Sequence, residues 1–247
     1  MSPRSASVNE ELRRRSRERL LQATVELVDE RGYEATTLGD ISLRAGSARG
    51  LVSYYFPSKR QLVQSAVHRL MHLTLDAALH REPLPTGPDA GRETLARSID
   101  AILGLARDHP VLMRNHMAQI LQHEGFLQCE EQQRLATLLR GAMAAYGSPH
   151  PESDYRLLRA NLMGAVVAAL IPGVPMPLES LRAELFDRYG LDWELGDPPS
   201  PERPSGPLSV PPTAQAPVTP PPGVPDQGGP DTDSPESEGP AEPARRP

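Results

Sequence analysis

The side chains with the most distinctive chemistry lie between residues 36 and 59, where hydroxyls, arginines and a lysine surround a turn at Gly46. Arg49 stands in the first turn of a predicted short helix, and an arginine there can donate two hydrogen bonds to guanine O6 and N7. Hydroxyls and cations at helix ends are typical phosphate contacts. The predicted DNA contacts are Thr36, Thr37, Arg44, Ser47, Ala48, Arg49, Gly50, Ser53, Tyr54, Tyr55 and Lys59.

Two short helices flanking the turn must position these side chains. The first spans 37–44, where Thr37 and Asp40 are spaced like a capping box. The second spans 48–55 and must stop before Pro57. The packing between them is assigned to Ile41, Ala45 and Val52. This is the helix-turn-helix arrangement, whose second helix enters the major groove of DNA.

Helical periodicity continues through the rest of the chain to residue 196, and no alternating run is long enough to indicate a sheet. The predicted fold class is therefore all-α. Ser58 is expected to cap the long fourth helix. The nine predicted helices span about 12–31, 37–44, 48–55, 58–81, 91–108, 110–124, 127–146, 153–171 and 177–190.

Charge and proline are unevenly distributed. The formal net charge of −6 hides a net +4 over residues 1–70, with −5 over 71–196 and −5 over 197–247. A basic segment of this kind is typical of a nucleic-acid contact. Residues 197–247 hold 17 prolines and no aromatic residue, so we expect a disordered tail that cannot bury a core.

Several protein classes are excluded or disfavoured by composition. Cys129 is the one cysteine, which excludes an intramolecular disulfide and a Cys-rich zinc module. The N-terminus lacks the apolar stretch of a secretory signal, and the longest apolar run, about 160–171, is too short to cross a bilayer. We expect a cytoplasmic protein without membrane contact. No nucleophile elbow, His-Glu-x-x-His, phosphate loop or paired-carboxylate site is evident, so we expect no enzyme activity, metal or cofactor.

Histidines recur every four residues on the fourth helix, in a pattern that could seat a metal ion: His68, His72, Asp76 and His80. A helical wheel, however, places His68 and His72 opposite the apolar face that begins at Leu62 and Val63. A solvated polar face is therefore the favoured interpretation.

A second group of side chains indicates a small-molecule pocket. His116 lies at the edge of a stripe of methionine and isoleucine on the helix 110–124, and His109, His116 and His123 recur every seven residues with Cys129 close by. Polar groups beside an adaptable apolar surface suit a ligand, although core methionines with half-buried histidines are the alternative. The predicted lining is Met113, His116, Met117, Ile120, Phe126, Met143, Met163 and Val166.

At its N-terminal third the sequence resembles the TetR family of bacterial transcription regulators. The resemblance covers about residues 12–66 and rests on many short motifs in order. These are Gly32-Tyr33, Thr36-Thr37, Ile41-Ser42, Ala45-Gly46, Gly50, Tyr55-Phe56, Ser58-Lys59 and Leu62. It departs from the family pattern at Ser47-Ala48, which moves the expected cap of the recognition helix to Ser47, and at Ser53 and Arg60.

The resemblance implies a ligand-responsive repressor that binds an operator as a homodimer, with an unknown small-molecule effector. It implies a DNA-binding domain over 1–57, of which 1–11 form a flexible arm, a linking helix over 58–81, and an effector and dimerisation domain over 82–196. Small residues and leucines on the last two helices permit a dimer interface, predicted at Ala160, Gly164, Ala168, Leu181 and Leu185.

Two other functions are also compatible with the sequence. One is an all-helical small-molecule-binding protein or enzyme without DNA binding. The other is a helical scaffold whose Pro-rich tail recruits partners.

Overall fold

The computed structural model describes residues 3–122 and 129–196, and within these ranges it contains nine α-helices and no strand. They are α1 Pro3–Ala35, α2 Leu38–Arg44, α3 Arg49–Tyr55, α4 Lys59–Leu79, α5 Ala90–Asp108, α6 Pro110–Gln122, α7 Glu130–Ala145, α8 Pro151–Leu170 and α9 Leu178–Arg188. The all-α prediction is confirmed, and most helix ends agree within two or three residues. None of the described helices is long and apolar enough to cross a membrane.

Three predictions fall outside the described residues: the tail over 197–247, and the assignments of Phe126 and His123. The predicted flexible arm over 1–11 differs from the structure, because α1 already begins at Pro3. Within this helix, Glu11 accepts hydrogen bonds from both Arg14 and Arg15, which lie one turn further along the same surface.

The first three helices form a compact group whose turns follow local sequence signals. Gly32 interrupts the end of α1 with a φ of 83°, and Gly46 makes the turn between α2 and α3 with a φ of 57°. Thr37 and Asp40 form the predicted capping box of α2. Ile41, Val52 and Phe56 are buried in the core beneath these helices, so α3 is held on its inner side by apolar contacts.

Helix α4 runs through the centre of the molecule and packs against α1, α5, α6 and α7. Ser58 caps it as predicted, its hydroxyl accepting a hydrogen bond from the backbone N–H of Gln61. Every residue from Leu62 to His68 is buried. The prediction that His68 lies on a solvated face is therefore wrong, because neighbouring helices cover this part of α4 on all sides.

The segment after α9 folds back onto α5. Arg182 is fully buried and donates hydrogen bonds to both carboxylate oxygens of Asp100, at 2.8 and 3.1 Å. It also donates to the carbonyl oxygens of Trp193 and Leu195. One side chain thus ties α5, α9 and the chain up to residue 196 together.

Candidate DNA-binding surface and ligand cavity

The outward face of α3 is the best candidate for a DNA-contacting surface. Val52 faces inward and is buried, whereas five predicted contact residues are exposed on or beside the helix: Ala48, Arg49, Gly50, Ser53 and Tyr54. The cap is Ala48, not Ser47 as predicted, and it makes no side-chain capping bond. Ser47 is partly buried, and its hydroxyl has no hydrogen-bond partner among the described residues.

The two candidate arginines differ in what already binds them. Arg44 donates to both carboxylate oxygens of Glu30 at 2.9 Å and to Glu26 at 3.2 Å, so it fastens α2 to α1. Arg44 is nevertheless exposed, so its assignment as a DNA contact stays a prediction, with part of its guanidinium already engaged within the protein. Arg49 is exposed, and in the described part of the chain no carboxylate pairs with it.

The two threonines that directly precede α2 both make hydrogen bonds within the protein. Thr36 is fully buried and its hydroxyl donates to the carbonyl oxygen of Gly32 at 2.8 Å, which rules it out as a surface contact and corrects the prediction. Thr37 is exposed, but its hydroxyl lies 2.7 Å from a carboxylate oxygen of Asp40 and caps the helix.

The aromatic and lysine contacts at the end of α3 also separate into two kinds. Tyr54 is 69% exposed and presents its ring and hydroxyl outward. Tyr55 is half-buried and its hydroxyl donates to the carbonyl oxygen of Arg13, which ties α3 to α1. Lys59 is half-buried, with its Nζ 4.1 Å from the centre of the Tyr33 ring.

Gly50 gives a prediction that separates folding from DNA binding. A Cβ at this exposed position would meet no atom within 4 Å, so the fold itself does not require glycine. Gly50→Ala is expected to raise the free energy of unfolding by up to about 1 kcal/mol, because alanine favours a helix. It is also expected to weaken DNA binding, because the added methyl stands between α3 and the groove. Urea unfolding and a DNA titration measure the two effects.

Gly141→Ala is the matched control, because Gly141 is also exposed, helical and without a neighbour within 4 Å, but lies on α7. It should leave DNA affinity unchanged. Full DNA affinity in Gly50→Ala, or an equal loss in both variants, would contradict this role for Gly50.

A cavity of about 50 Å³ lies among α4, α5, α6, α7 and α8. The described residues that line it are mostly aliphatic or methionine, and none of them is acidic. They are His68, Met71, Ile102, Met113, His116, Met117, Ile120, Gln132, Leu135, Ala136, Leu139, Tyr155, Arg159, Leu162, Met163 and Val166.

Most of the predicted pocket residues meet at this cavity. The structure brings Met113, His116, Met117, Ile120, Met163 and Val166 together there. It places Met143 elsewhere, buried in the core one turn of α7 beyond Leu139, which corrects that assignment. The residues missed by sequence reasoning are those of α4, α5 and α7, whose contribution depends on how the helices pack, and Tyr155, Arg159 and Leu162 of α8.

The two cavity histidines are neutral at pH 7. Burial, with a smaller contribution from the charge of Arg159, lowers the pKa of His68 to about 4. Burial followed by the nearby charges lowers the pKa of His116 to about 3. Their rings meet edge to face with centres 5.0 Å apart. Each imidazole can therefore donate and accept one hydrogen bond, but neither supplies a charge.

The predicted dimer residues divide between the surface and the core. Ala160 and Gly164 are exposed, and Ala168 is partly exposed. Leu181 and Leu185 are buried inside the chain, which corrects their assignment to an interface, since α9 packs its leucines against α5 and α8. The exposed face of α8 also carries Leu157, at the same helical spacing as Ala160, Gly164 and Ala168, and the exposed Ile171 follows directly after the helix.

Comparisons with known proteins agree with this architecture. The family described as "Bacterial regulatory proteins, tetR family" matches residues 20–66. The HTH-type transcriptional regulator BetI 1 of Chromohalobacter salexigens is 30% identical over 102 residues, which are 41% of this chain and 50% of that protein. The chain thus matches half the length of that relative.

Two further matches extend over most of the length of the matched protein. BetI of Escherichia coli is 27% identical over 193 residues, covering 72% of this chain and 93% of that protein. The crystal structure of a TetR-family transcriptional regulator from Streptomyces coelicolor has a TM-score of 0.51 and 21% identity, covering 71% of this chain and 98% of that one. Residues 20–66 therefore match the tetR family of bacterial regulatory proteins, and the helix order of the described residues agrees with the fold of the Streptomyces coelicolor regulator.

Proposed function

We propose that the protein is a ligand-responsive transcriptional repressor that binds operator DNA through α3. The observation that carries this proposal is Arg49, which is exposed and pairs with no carboxylate among the described residues, in the first turn of a helix whose inner side is fixed by buried Val52. Such a helix presents base-reading groups on a rigid support. Its relatives are named as transcriptional regulators, and we propose no catalytic activity for this chain.

The same proposal covers domain organisation, location and assembly. The DNA-binding domain is 1–57, the linking helix 58–81 and the effector domain 82–196, and the protein acts in the cytoplasm. A homodimer would place two copies of α3 on the two half-sites of an operator. The exposed small and apolar residues of α8 are the surface we assign to the dimer, with Ala160 and Gly164 at its centre.

The effector is proposed to be a compact and largely apolar molecule without a positive charge. A quaternary ammonium ion is disfavoured, because no described lining residue is acidic and Tyr155 supplies the one phenol ring among them. The neutral imidazoles of His68 and His116, and the amide of Gln132, offer hydrogen bonds to a polar group on the ligand.

The size of the cavity implies that binding rearranges its wall. Its volume of about 50 Å³ is enough for a few water molecules and is well below the roughly 150 Å³ that holds benzene. The four lining methionines can adopt new rotamers at small cost. A ligand therefore selects an expanded state, and it weakens DNA binding to the extent that it prefers that state.

A pair of probes that differ in charge tests the effector class. We expect 3,3-dimethylbutan-1-ol, the neutral carbon analogue of choline, to raise the Tm of the protein by about 3 °C at ten times its Kd. Choline, which has the same shape and a positive charge, should give no shift. A shift with choline equal to or greater than that of the alcohol would contradict the assignment.

Selection from random duplexes tests DNA binding itself. The full chain should enrich a two-fold symmetric sequence at about 150 mM salt, because a dimer presents two recognition helices. Failure to enrich any sequence would refute the proposal.

A further inference from the structure

A chain of close polar contacts begins at the cavity wall and leads away from it. His116 lines the cavity and meets His68 edge to face, with ring centres 5.0 Å apart. Nδ1 of His68 lies 3.1 Å from Sγ of Cys129, the residue that immediately precedes α7. Any ligand that moves these imidazoles therefore acts directly on the first turn of α7.

The contacts continue from α7 to the DNA-binding helices. Glu131 is in the first turn of α7, interacts with the Cys129 thiol, and forms an ion pair with Arg17 of α1. The guanidinium of Arg17 in turn lies 5.2 Å from the centre of the Phe56 ring. Phe56 is buried and ends the recognition helix α3. Arg17 is thus in contact with both α7 and the end of α3.

Among the residues in this series of contacts, Glu131 is the one whose side chain has a buried oxygen without a hydrogen-bond partner in the described part of the chain. Its side chain is 5% exposed, yet of its two carboxylate oxygens only Oε1 pairs with Arg17. Oε2 is buried without a hydrogen-bond partner in the part of the chain that the structure describes. An unpaired buried carboxylate oxygen costs free energy, so Glu131 is less completely stabilised in this arrangement than a carboxylate with both oxygens paired.

We propose that Glu131 is the residue that couples the cavity to the recognition helix, by holding Arg17 when the cavity is empty and releasing it when the cavity is filled. This inference rests on the proposed function. In the empty state the ion pair fixes Arg17 against Phe56 and so fixes the end of α3. Filling the cavity displaces His68 and Cys129, moves the first turn of α7, and separates Glu131 from Arg17.

A double-mutant cycle tests the coupling with no need for the natural ligand. Val166→Phe puts a larger side chain into the cavity from α8 and stands for an occupied state. Its effect on the affinity for the selected operator duplex is measured in the wild-type chain and in Glu131→Gln. We expect at least a fivefold loss in the wild type and less than a twofold further loss in Glu131→Gln, where the ion pair with Arg17 is already absent.

Glu130→Gln is the matched control. It makes the same chemical change in the same turn of α7, but Glu130 is exposed and pairs with Arg134 of its own helix. In this background Val166→Phe should keep its full fivefold effect. Arg17→Gln removes the same ion pair from its more exposed side, and replaces Glu131→Gln if circular dichroism shows that variant to be unfolded.

Three other results would each refute either the proposed coupling or the proposed function. An equal loss from Val166→Phe in the wild type and in the variants lacking the ion pair would refute the coupling while leaving DNA binding intact. So would an unchanged affinity of Val166→Phe in the wild-type chain. Absence of operator binding by the wild-type chain would instead refute the proposed function, and this inference with it.

Discussion

Arg182→Met is expected to lower the free energy of unfolding by about 3–5 kcal/mol, which is the usual result of leaving one partner of a buried ion pair alone. Asp100 would lose both guanidinium hydrogen bonds while its own side chain stays 2% exposed. Burial already raises the pKa of Asp100 to about 6 in spite of Arg182. Without the guanidinium, the carboxylate loses the ion pair that offsets part of its lost hydration.

Arg182 also organises the segment that follows α9. Its guanidinium stacks over Phe186 and Trp193, with its central carbon 3.8 and 4.4 Å from the two ring centres. The carbonyl oxygens of Trp193 and Leu195 accept its remaining hydrogen bonds. Methionine can replace part of the packing but none of the hydrogen bonds, so we expect Tm to fall by about 10 °C as well.

Two further variants distinguish this mechanism from a general loss of packing. Adding Asp100→Asn to Arg182→Met should recover part of the stability, because the stranded charge is removed. Arg92→Met breaks a more exposed pair with Asp192 in the same region and should cost less than about 1 kcal/mol. Urea unfolding followed by circular dichroism measures all three. A loss in Arg182→Met no larger than that in Arg92→Met would contradict the account.

Arg49→Ala is expected to weaken binding to the selected operator by about 1–3 kcal/mol, if Arg49 reads a base. The reason is its position: it is exposed in the first turn of α3 and free of carboxylate partners within the described residues. Affinity for a scrambled duplex should change much less. The unfolding transition should stay where it is, because no described contact of the fold depends on this side chain.

Two neighbouring cations provide the comparison for Arg49. Lys59→Ala should weaken binding to the selected and the scrambled duplex alike. It should also reduce the slope of log affinity against log salt concentration by about one, as expected for the loss of a phosphate contact. Arg44→Ala should leave sequence preference unchanged, because its guanidinium is bound by Glu30 and Glu26. An equal loss on both duplexes in Arg49→Ala would assign it to phosphate and leave base reading to other residues of α3.

The helix-turn-helix could be predicted from sequence because its signals are local. Thr37 with Asp40, Gly46 and Ser58 each act within four residues of the helix end that they define. The same is true of the methionine stripe on α6, which one helical turn is enough to reveal. These features follow from backbone geometry and short-range hydrogen bonds, so a single sequence contains them.

The errors arose where a side chain is bound by something distant in the sequence. The hydroxyl of Thr36 lies 3.2 Å from the carbonyl oxygen of Leu27, nine residues earlier in α1. His68 lies on what a helical wheel gives as a polar face, but α4 is surrounded by other helices. No periodicity within one helix predicts how many neighbours cover it.

The central claim is that α3 of this protein reads specific DNA sequences. Genome-wide mapping of the DNA bound by the full chain, with Arg49→Ala alongside, tests that claim most directly. We predict a limited set of sites that share a two-fold symmetric sequence and that are lost or strongly weakened in Arg49→Ala. Uniform occupancy without a shared sequence, or the same sites at the same strength in both proteins, would contradict it.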